Sequence, residues 1–221
     1  MHHFFAYMAR MRHIMRWGLM RNTLPENDQE HALQAAMIAH ALATLRNVRY
    51  GGTLDAQRVA LLAIYHDAGE VITGDLATPV KHHNPLVHEA FDRMEAMARR
   101  MLLEMLPEDL RPAYAPLLVP DETEEAWRVV KAADRICAYL KCVEEDKAGN
   151  TEFRKAREVI RRDIDALELP EVRDFMREFA PSFSLSLDEL NGPAGSDARS
   201  AAENDAENGG NGANDGRPGR E

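Results

Sequence analysis

Three features of this sequence predict an all-α fold. Apolar residues recur at three- and four-residue spacing, Ala and Glu are abundant beside 11 Met and few aromatics, and no Val or Thr run alternates at period two. With 221 residues the chain fits one domain with a tail, residues 1–191 and 192–221, and is long enough to bury a sizeable core.

Phe4, Phe5, Met8, Met11 and Met15 share a helical face, so residues 3–15 read as an amphipathic helix ended by Arg16-Trp17. Residues 18–25 are loop-like. Asn27 or Asp28 caps a helix to about Arg46, with Leu33, Ala36, Met37 and Ala41 as its stripe, His31 in its first turn and His40 packed or on the surface. Tyr50-Gly51-Gly52 is a turn, and Asp55 opens a helix whose buried face is Leu61, Leu62, Ile64 and Tyr65. His66, Asp67 and Glu70 follow on that helix, Glu70 lying four residues after His66 and three after Asp67, hence on the same side. Thr73-Gly74 and Pro79 stop it and put Asp75 in a loop.

A long polar helix over residues 86–106 ends at Pro107, and Pro112, Pro116 and Pro120 mark a broken stretch. Asp121 and Thr123 begin a helix to about Ala148. Its stripe is Ala126, Val129, Val130, Ala133, Ile136, Cys137, Leu140 and Val143, with Asp134 at the edge. Gly149-Asn150 ends it, Thr151 caps another to about Ala166, and Pro170 opens a last short one. Residues 192–221 hold no Leu, Ile, Val or aromatic residue, cannot offset their ordering entropy, and are expected to be disordered.

The net charge is −10; the tail's six acids and three arginines carry −3 of it, leaving −7 on the remainder. That balance disfavours a nucleic-acid polymer as partner but leaves room for a small anionic substrate in a locally positive pocket. No apolar run is long enough for a membrane span, so no membrane association is expected. Cys137 and Cys142 lie five residues apart in one helix and cannot bridge, which fits a reducing cytoplasm. Arg10, Arg12, Arg16 and Arg21 precede the first acid, Glu26, as in mitochondrial transit peptides, but the segment has almost no Ser and contains Trp17, and it is read as part of the domain.

Residues 61–75 bring His66, Asp67, Glu70 and Asp75 together behind an apolar run. Buried there, the acids need a counter-charge, so the cluster implies either a salt-bridge network or a cation. His31, His66, Asp67 and Asp134 together form a mixed N/O set suited to a borderline divalent ion such as Mn²⁺, Fe²⁺, Co²⁺ or Zn²⁺. Such an ion lowers the pKa of a water and polarises a phosphoryl oxygen, and Glu70 is placed to orient that water or move its proton. Residue by residue, the plainer readings stay open. His31 can be a satisfied core histidine, Asp134 a partner of Lys131 or Arg135, Glu70 and Asp75 exposed acids, Trp17 a core anchor and Arg16 a surface charge.

The order His31, His66-Asp67, Asp134 resembles the HD-domain metal-dependent phosphohydrolases, and longer matches resemble their bacterial 5′-deoxynucleotidase branch. These are Arg16-Trp17-Gly18-Leu19-Met20-Arg21-Asn22, Glu30-His31-Ala32-Leu33-Gln34, His66-Asp67-Ala68-Gly69-Glu70-Val71, Thr73-Gly74-Asp75-Leu76-Ala77-Thr78-Pro79-Val80-Lys81, Lys131-Ala132-Ala133-Asp134 and Ala138-Tyr139-Leu140-Lys141-Cys142-Val143-Glu144-Glu145. The resemblance covers about residues 3–190, ending in Pro181-Ser182-Phe183-Ser184-Leu185-Ser186-Leu187, and Ala77 stands where that branch often has a proline. It implies an HD-type helical bundle that hydrolyses deoxyribonucleoside 5′-monophosphates, with little base selectivity, as a cytoplasmic homodimer. It implies a divalent ion, Co²⁺ or Mn²⁺ ahead of Zn²⁺, Fe²⁺ or Cu²⁺, held by His31, His66, Asp67 and Asp134. Glu70 would assist the attacking water, Arg16 orient the phosphate, Trp17 pack near the sugar, and Asp75 with Leu76, Ala77 and Thr78 hold the nucleoside; His31, Asp67 and Asp134 would also border the substrate. The competing readings are another HD phosphohydrolase, acting on a phosphodiester, a nucleoside triphosphate or a signalling nucleotide, and a metal-stabilised nucleotide sensor without turnover. Intact Glu70 and Asp75 weigh against the sensor.

Overall fold

The computed structural model describes residues 1–77 and 84–192. Thr78 and most of the tail lie outside the described residues. The chain divides into two units, Met1–Ser184 and Leu185–Glu221. In the second, Ser186 caps the short helix Leu187–Leu190 through a reciprocal box with Glu189.

The first unit is all helical among its described residues. Its elements are α1 (Phe4–Met8), α2 (Asp28–Tyr50), α3 (Ala56–Tyr65), α4 (Glu70–Thr73), α5 (Pro85–Glu104), α6 (Arg111–Leu118), α7 (Glu125–Lys147), α8 (Arg154–Asp165) and α9 (Pro170–Glu178). Short 3-10 turns follow α1 at Ala9–His13, precede α8 at Thr151–Phe153 and follow α9 at Ala180–Ser184.

The centre is α2, which packs against α3, α7 and α9. Its inward residues are mostly small: Ala32, Ala35, Ala36, Ala39 and Ala43 are buried beside Ile38 and Leu42. Small side chains let three helix backbones approach one rod, since interaxial distance is set by what stands at the contact. Of the expected stripe, Ala36 is buried and Ala41 packs against the core, but the two larger residues face out. Leu33 and Met37 are each 60% exposed and His40 is on the surface, because packing selected the alanine face over the face with larger apolar residues. Asn27 caps α2 through its side chain, and Gly51 ends it at φ +67°, an αL position that glycine adopts without a Cβ penalty.

The stripe expected on α7 is buried at every position. On α3 the buried residues are Val59, Leu62 and Ala63, while Leu61 and Ile64 are exposed and Tyr65 is half-buried. Nor does α3 continue through the ionisable cluster: it ends at Tyr65, the chain turns over residues 66–69, and α4 starts at Glu70. Glu70 therefore reaches the site from a separate helix rather than from the next turn of the same one.

The expected helix over residues 3–15 is α1 plus a 3-10 turn, with Phe4 and Met11 buried but Phe5 and Met15 exposed. Phe4 anchors a second apolar cluster with Ala68, Leu102, Leu106 and Leu118. Asn150, not Thr151, supplies the cap before α8, and two short elements follow α9 where Pro170 was read as opening the last.

Packing predicts opposite outcomes for two leucines of α2. Leu42→Ala, at a fully buried site, should cost about 2–5 kcal/mol in chemical denaturation, and Leu33→Ala should stay within about 0.5 kcal/mol.

Candidate active site

Asn27 accepts the Gln29 and Glu30 backbone N–H groups at 3.1 Å, so α2 begins there and presents His31 from its first turn. The turn after α3 is tight: Ala68 N–H donates to Tyr65 O at 3.0 Å and Glu70 N–H to Asp67 O at 2.9 Å. It releases His66 and Asp67 at the end of α3, while Asp134 projects from the middle of α7. Because α2, α3 and α7 pack mutually, one ligand atom from each of His31, His66, Asp67 and Asp134 falls within 4.8 Å of all the others.

The atoms that meet are short of protons. His66 Nδ1 lies 2.7 Å from Ala63 O; a carbonyl only accepts, so Nδ1 carries the hydrogen and Nε2 turns a lone pair inward. Among the described residues His66 Nε2 and both His31 nitrogens are buried without a hydrogen-bond partner. His66 Nε2 is 3.0 Å from Asp67 Oδ2 and 3.8 Å from Asp134 Oδ1, and His31 Nε2 is 3.5 and 3.3 Å from the same two oxygens. Ligands about 2.1 Å from one ion stand roughly 3.0–3.4 Å apart, so the set fits a divalent cation. Without one, a proton serves: burial would lower the His66 pKa, but Asp67 and Asp134 raise it to about 9. Burial would raise Asp134, yet Lys131 and the two histidines hold it well below the carboxylate range. Asp134 pairs with Lys131 on its own helix, Oδ2 lying 2.8 Å from Nζ, while Oδ1 faces the cluster.

Arg16 is no surface charge. Its side chain is 13% exposed, donates to Asp67 Oδ2 at 3.2 Å, and lies 3.5 Å from Glu26, 3.9 Å from Asp28 and 4.0 Å from Asp134. Trp17 takes φ +60°, rare for a bulky residue. Its indole N–H donates to Glu26 Oε2 at 3.1 Å, its ring meets Phe153 edge-on at 5.3 Å, and its backbone amide interacts with Asp75. Asp75 is half-buried, with its pKa raised by burial against the opposing pull of Arg16. Leu76 and Ala77 are also half-buried.

Two acids escaped the sequence reading as site residues. Glu26 reaches both Arg16 and the Trp17 indole, and Asp28, considered only as a cap, is fully buried and interacts with Glu70. Burial of two interacting carboxyl groups disfavours their ionising together. Burial and the charges of Asp67, Asp28 and Asp75 push Glu70 up to about 11, and burial with Asp67 pushes Asp28 up to about 7. An i to i+3 signal from Asp28 to His31 was available, but nothing in the sequence linked Asp28 to Glu70.

The family described as 5′-deoxynucleotidase YfbR-like matches residues 3–183. A 5′-deoxynucleotidase of Vibrio parahaemolyticus is 51% identical over 189 residues, 85% of this chain and 97% of that relative. One of Erwinia tasmaniensis is also 51% identical, over 85% of this chain and 96% of its own. Among solved structures, an HD-domain phosphohydrolase of Listeria innocua superposes with TM-score 0.71 at 18% identity, covering 92% of this chain and 97% of that one. A cyanophage S-2L HD phosphohydrolase, bound to dA and one catalytic Zn²⁺ ion, superposes with TM-score 0.57 at 20% identity over 80% of this chain and 95% of its own.

The carboxyl pair predicts a pH dependence for the metal-free protein. Both groups hold protons more tightly folded than unfolded, so their contribution is complete below the unfolded values of 3.8 and 4.5 and is lost as pH rises toward about 7 for Asp28 and about 11 for Glu70. Glu70→Gln should therefore stabilise the protein more at pH 8 than at pH 5, read by chemical denaturation. Equal increments at both values would contradict the raised pKa values.

Proposed function

The chain belongs to the 5′-deoxynucleotidase YfbR-like family and is a phosphohydrolase of HD fold; on that premise we propose that it hydrolyses deoxyribonucleoside 5′-monophosphates to deoxyribonucleoside and phosphate. The observation that carries this reading is the convergence of two imidazole nitrogens with two carboxylate oxygens, beside a buried arginine.

His31, His66, Asp67 and Asp134 would hold one divalent ion, which when bound supplies Lewis acidity toward the phosphoryl group and an acidified water. The mixed N/O set suits a borderline divalent ion, and the family resemblance puts Co²⁺ or Mn²⁺ ahead of Zn²⁺, Fe²⁺ or Cu²⁺. Glu70, from α4, orients the attacking water and exchanges its proton, with Asp28 as the second seat for that proton. The Arg16 guanidinium offers a planar fork to two phosphate oxygens and is already held at the cluster by Asp67. Trp17 presents a rigid indole to the sugar and excludes a 2′-hydroxyl by shape. Asp75 accepts from the 3′-hydroxyl, with Leu76, Ala77 and Thr78 lining the nucleoside side. No described side chain is assigned to a base edge, so base identity should matter little.

A cytoplasmic setting is supported by two free buried cysteines, and no described helix is long and apolar enough to cross a membrane. Leu33, Met37 and Val48 of α2 and Leu61 of α3 are large apolar residues left exposed, which supports a homodimer over those faces. Sedimentation at micromolar concentration should then give twice 24.9 kDa, and a monomeric mass would remove the dimer.

The functional test is phosphate release from paired deoxy- and ribonucleoside monophosphates across divalent metals. Chelator should abolish turnover, and Asp134→Ala should not recover it at ordinary metal concentrations; full activity in chelator would end the metal reading. Trp17→Ala should lose kcat/KM on deoxynucleotides yet narrow the deoxy-to-ribo ratio, which a hydrophobic contact alone sustains at only about 100-fold. An unchanged ratio would take Trp17 out of sugar selection.

A further inference from the structure

We infer that the buried Lys141–Glu145 pair of α7 is a positioning device for sugar recognition, pinning the strap of residues 14–28 so that the Trp17 indole is held rigid. The inference rests on the sugar role proposed for Trp17.

The strap is closed at its base by the chain doubling back: Met15 bridges Asn27, Arg16 N–H donates to Glu26 O at 3.0 Å, and Asp28 N–H donates to Ile14 O at 3.0 Å. Its tip, Thr23-Leu24-Pro25, is exposed and has no apolar anchor of its own. The fully buried Glu145 carboxylate reaches it from below. Thr23 N–H donates to Glu145 Oε2 at 2.9 Å and Oε1 at 3.1 Å, and Leu24 N–H donates to Oε1 at 3.1 Å. Lys141 Nζ donates both to Glu145 Oε1 and to the Leu24 carbonyl, so one ion pair takes up donor and acceptor groups of the same short segment. Asn150 adds a third arm, its Nδ2 donating to Arg21 O at 2.7 Å and to Glu145 Oε2 at 2.8 Å.

A buried ion pair is weak evidence for stability, because well-packed apolar residues often do as well. What this pair supplies is a set of fixed backbone partners for a loop that has few others. Trp17 needs that support, since αL backbone in a bulky residue persists only where the surroundings impose it. Its carbonyl is held by Asn22 Nδ2 at 3.3 Å within the strap, and its ring rests on Phe153, which lies fully buried with the Lys141 ammonium 5.7 Å from its centroid. Lys141 therefore touches both the tip of the strap and the floor beneath the indole. Rejection of a hydroxyl by a clash requires a wall that does not yield, so loosening the tip should admit ribonucleotides without disturbing the ligand cluster.

The test uses the full-length chain in a Trp127→Phe background, which leaves Trp17 as the only indole of the two. Two variants are compared, Glu145→Gln and the apolar pair Lys141→Met with Glu145→Leu; the second avoids stranding a buried ammonium and so guards against simple unfolding, checked by circular dichroism. The expected results are at least about a twofold rise in acrylamide quenching of Trp17, a raised KM for deoxynucleotide with kcat little changed, and a deoxy-to-ribo ratio reduced on the order of tenfold. Unchanged quenching in both folded variants overturns the clamp. Increased quenching with an unchanged ratio overturns its role in selection. Trp17→Ala run in parallel separates the two ideas: if it too leaves the ratio unchanged, the sugar reading itself has failed, whereas a ratio that moves with Trp17 but not with the pair defeats only the present inference.

Discussion

The hydrogen bond from His66 Nδ1 to the Ala63 carbonyl decides which nitrogen faces the interior, and much of the site's chemistry depends on that choice. With Nδ1 occupied by the Ala63 carbonyl, Nε2 is the nitrogen turned inward, and what it faces are carboxylate oxygens that only accept. His31 Nε2 faces the same two carboxylates from α2, at 3.5 and 3.3 Å. Such groups in a buried space need a proton or a metal ion between them, and the packing of α2, α3 and α7 brings together a set that could hold either.

Around that centre the charge is arranged in layers. Glu26, Asp28, Asp67, Glu70, Asp75 and Asp134 crowd near Arg16 and Lys131, and the structure relieves the excess in two ways. Asp67 and Asp134 are held ionised by the cations and histidines that face them, whereas burial and neighbouring carboxylates push the pKa values of Asp28 and Glu70 up. Two carboxyl environments with pKa values pushed apart are what a site needs to hold an ion with one group and move a proton with another. Arg16 links the layers, touching ligand, carboxyl pair and the strap that carries Trp17.

Much of this was legible in the sequence, and what was not has physical causes. The stripe of α7, the Asn27 and Asp55 caps and the set His31, His66, Asp67 and Asp134 follow from periodicity, capping chemistry and a recognisable motif order. The inner face of α2 was misread because apolar size was taken as the mark of burial, and there close approach of three helices rewards alanine instead. The run through His66 to Glu70 looks like one continuous helix at four-residue spacing, yet it is a turn and a second short helix, which backbone bonds at Ala68 and Glu70 impose. Contacts such as Asp28 with Glu70 and Glu145 with Thr23 join segments 42 and 122 residues apart, so only the tertiary fold reveals them.

The central claim is that this cluster binds one divalent ion through two imidazole nitrogens and carboxylate oxygens. X-ray absorption on the chain loaded with one equivalent of Co²⁺ tests it directly. Two imidazole scatterers are expected in a shell about 2.0–2.2 Å from the metal, with one of them lost in His66→Ala. A shell of oxygens alone, or a spectrum unmoved by that substitution, would contradict it.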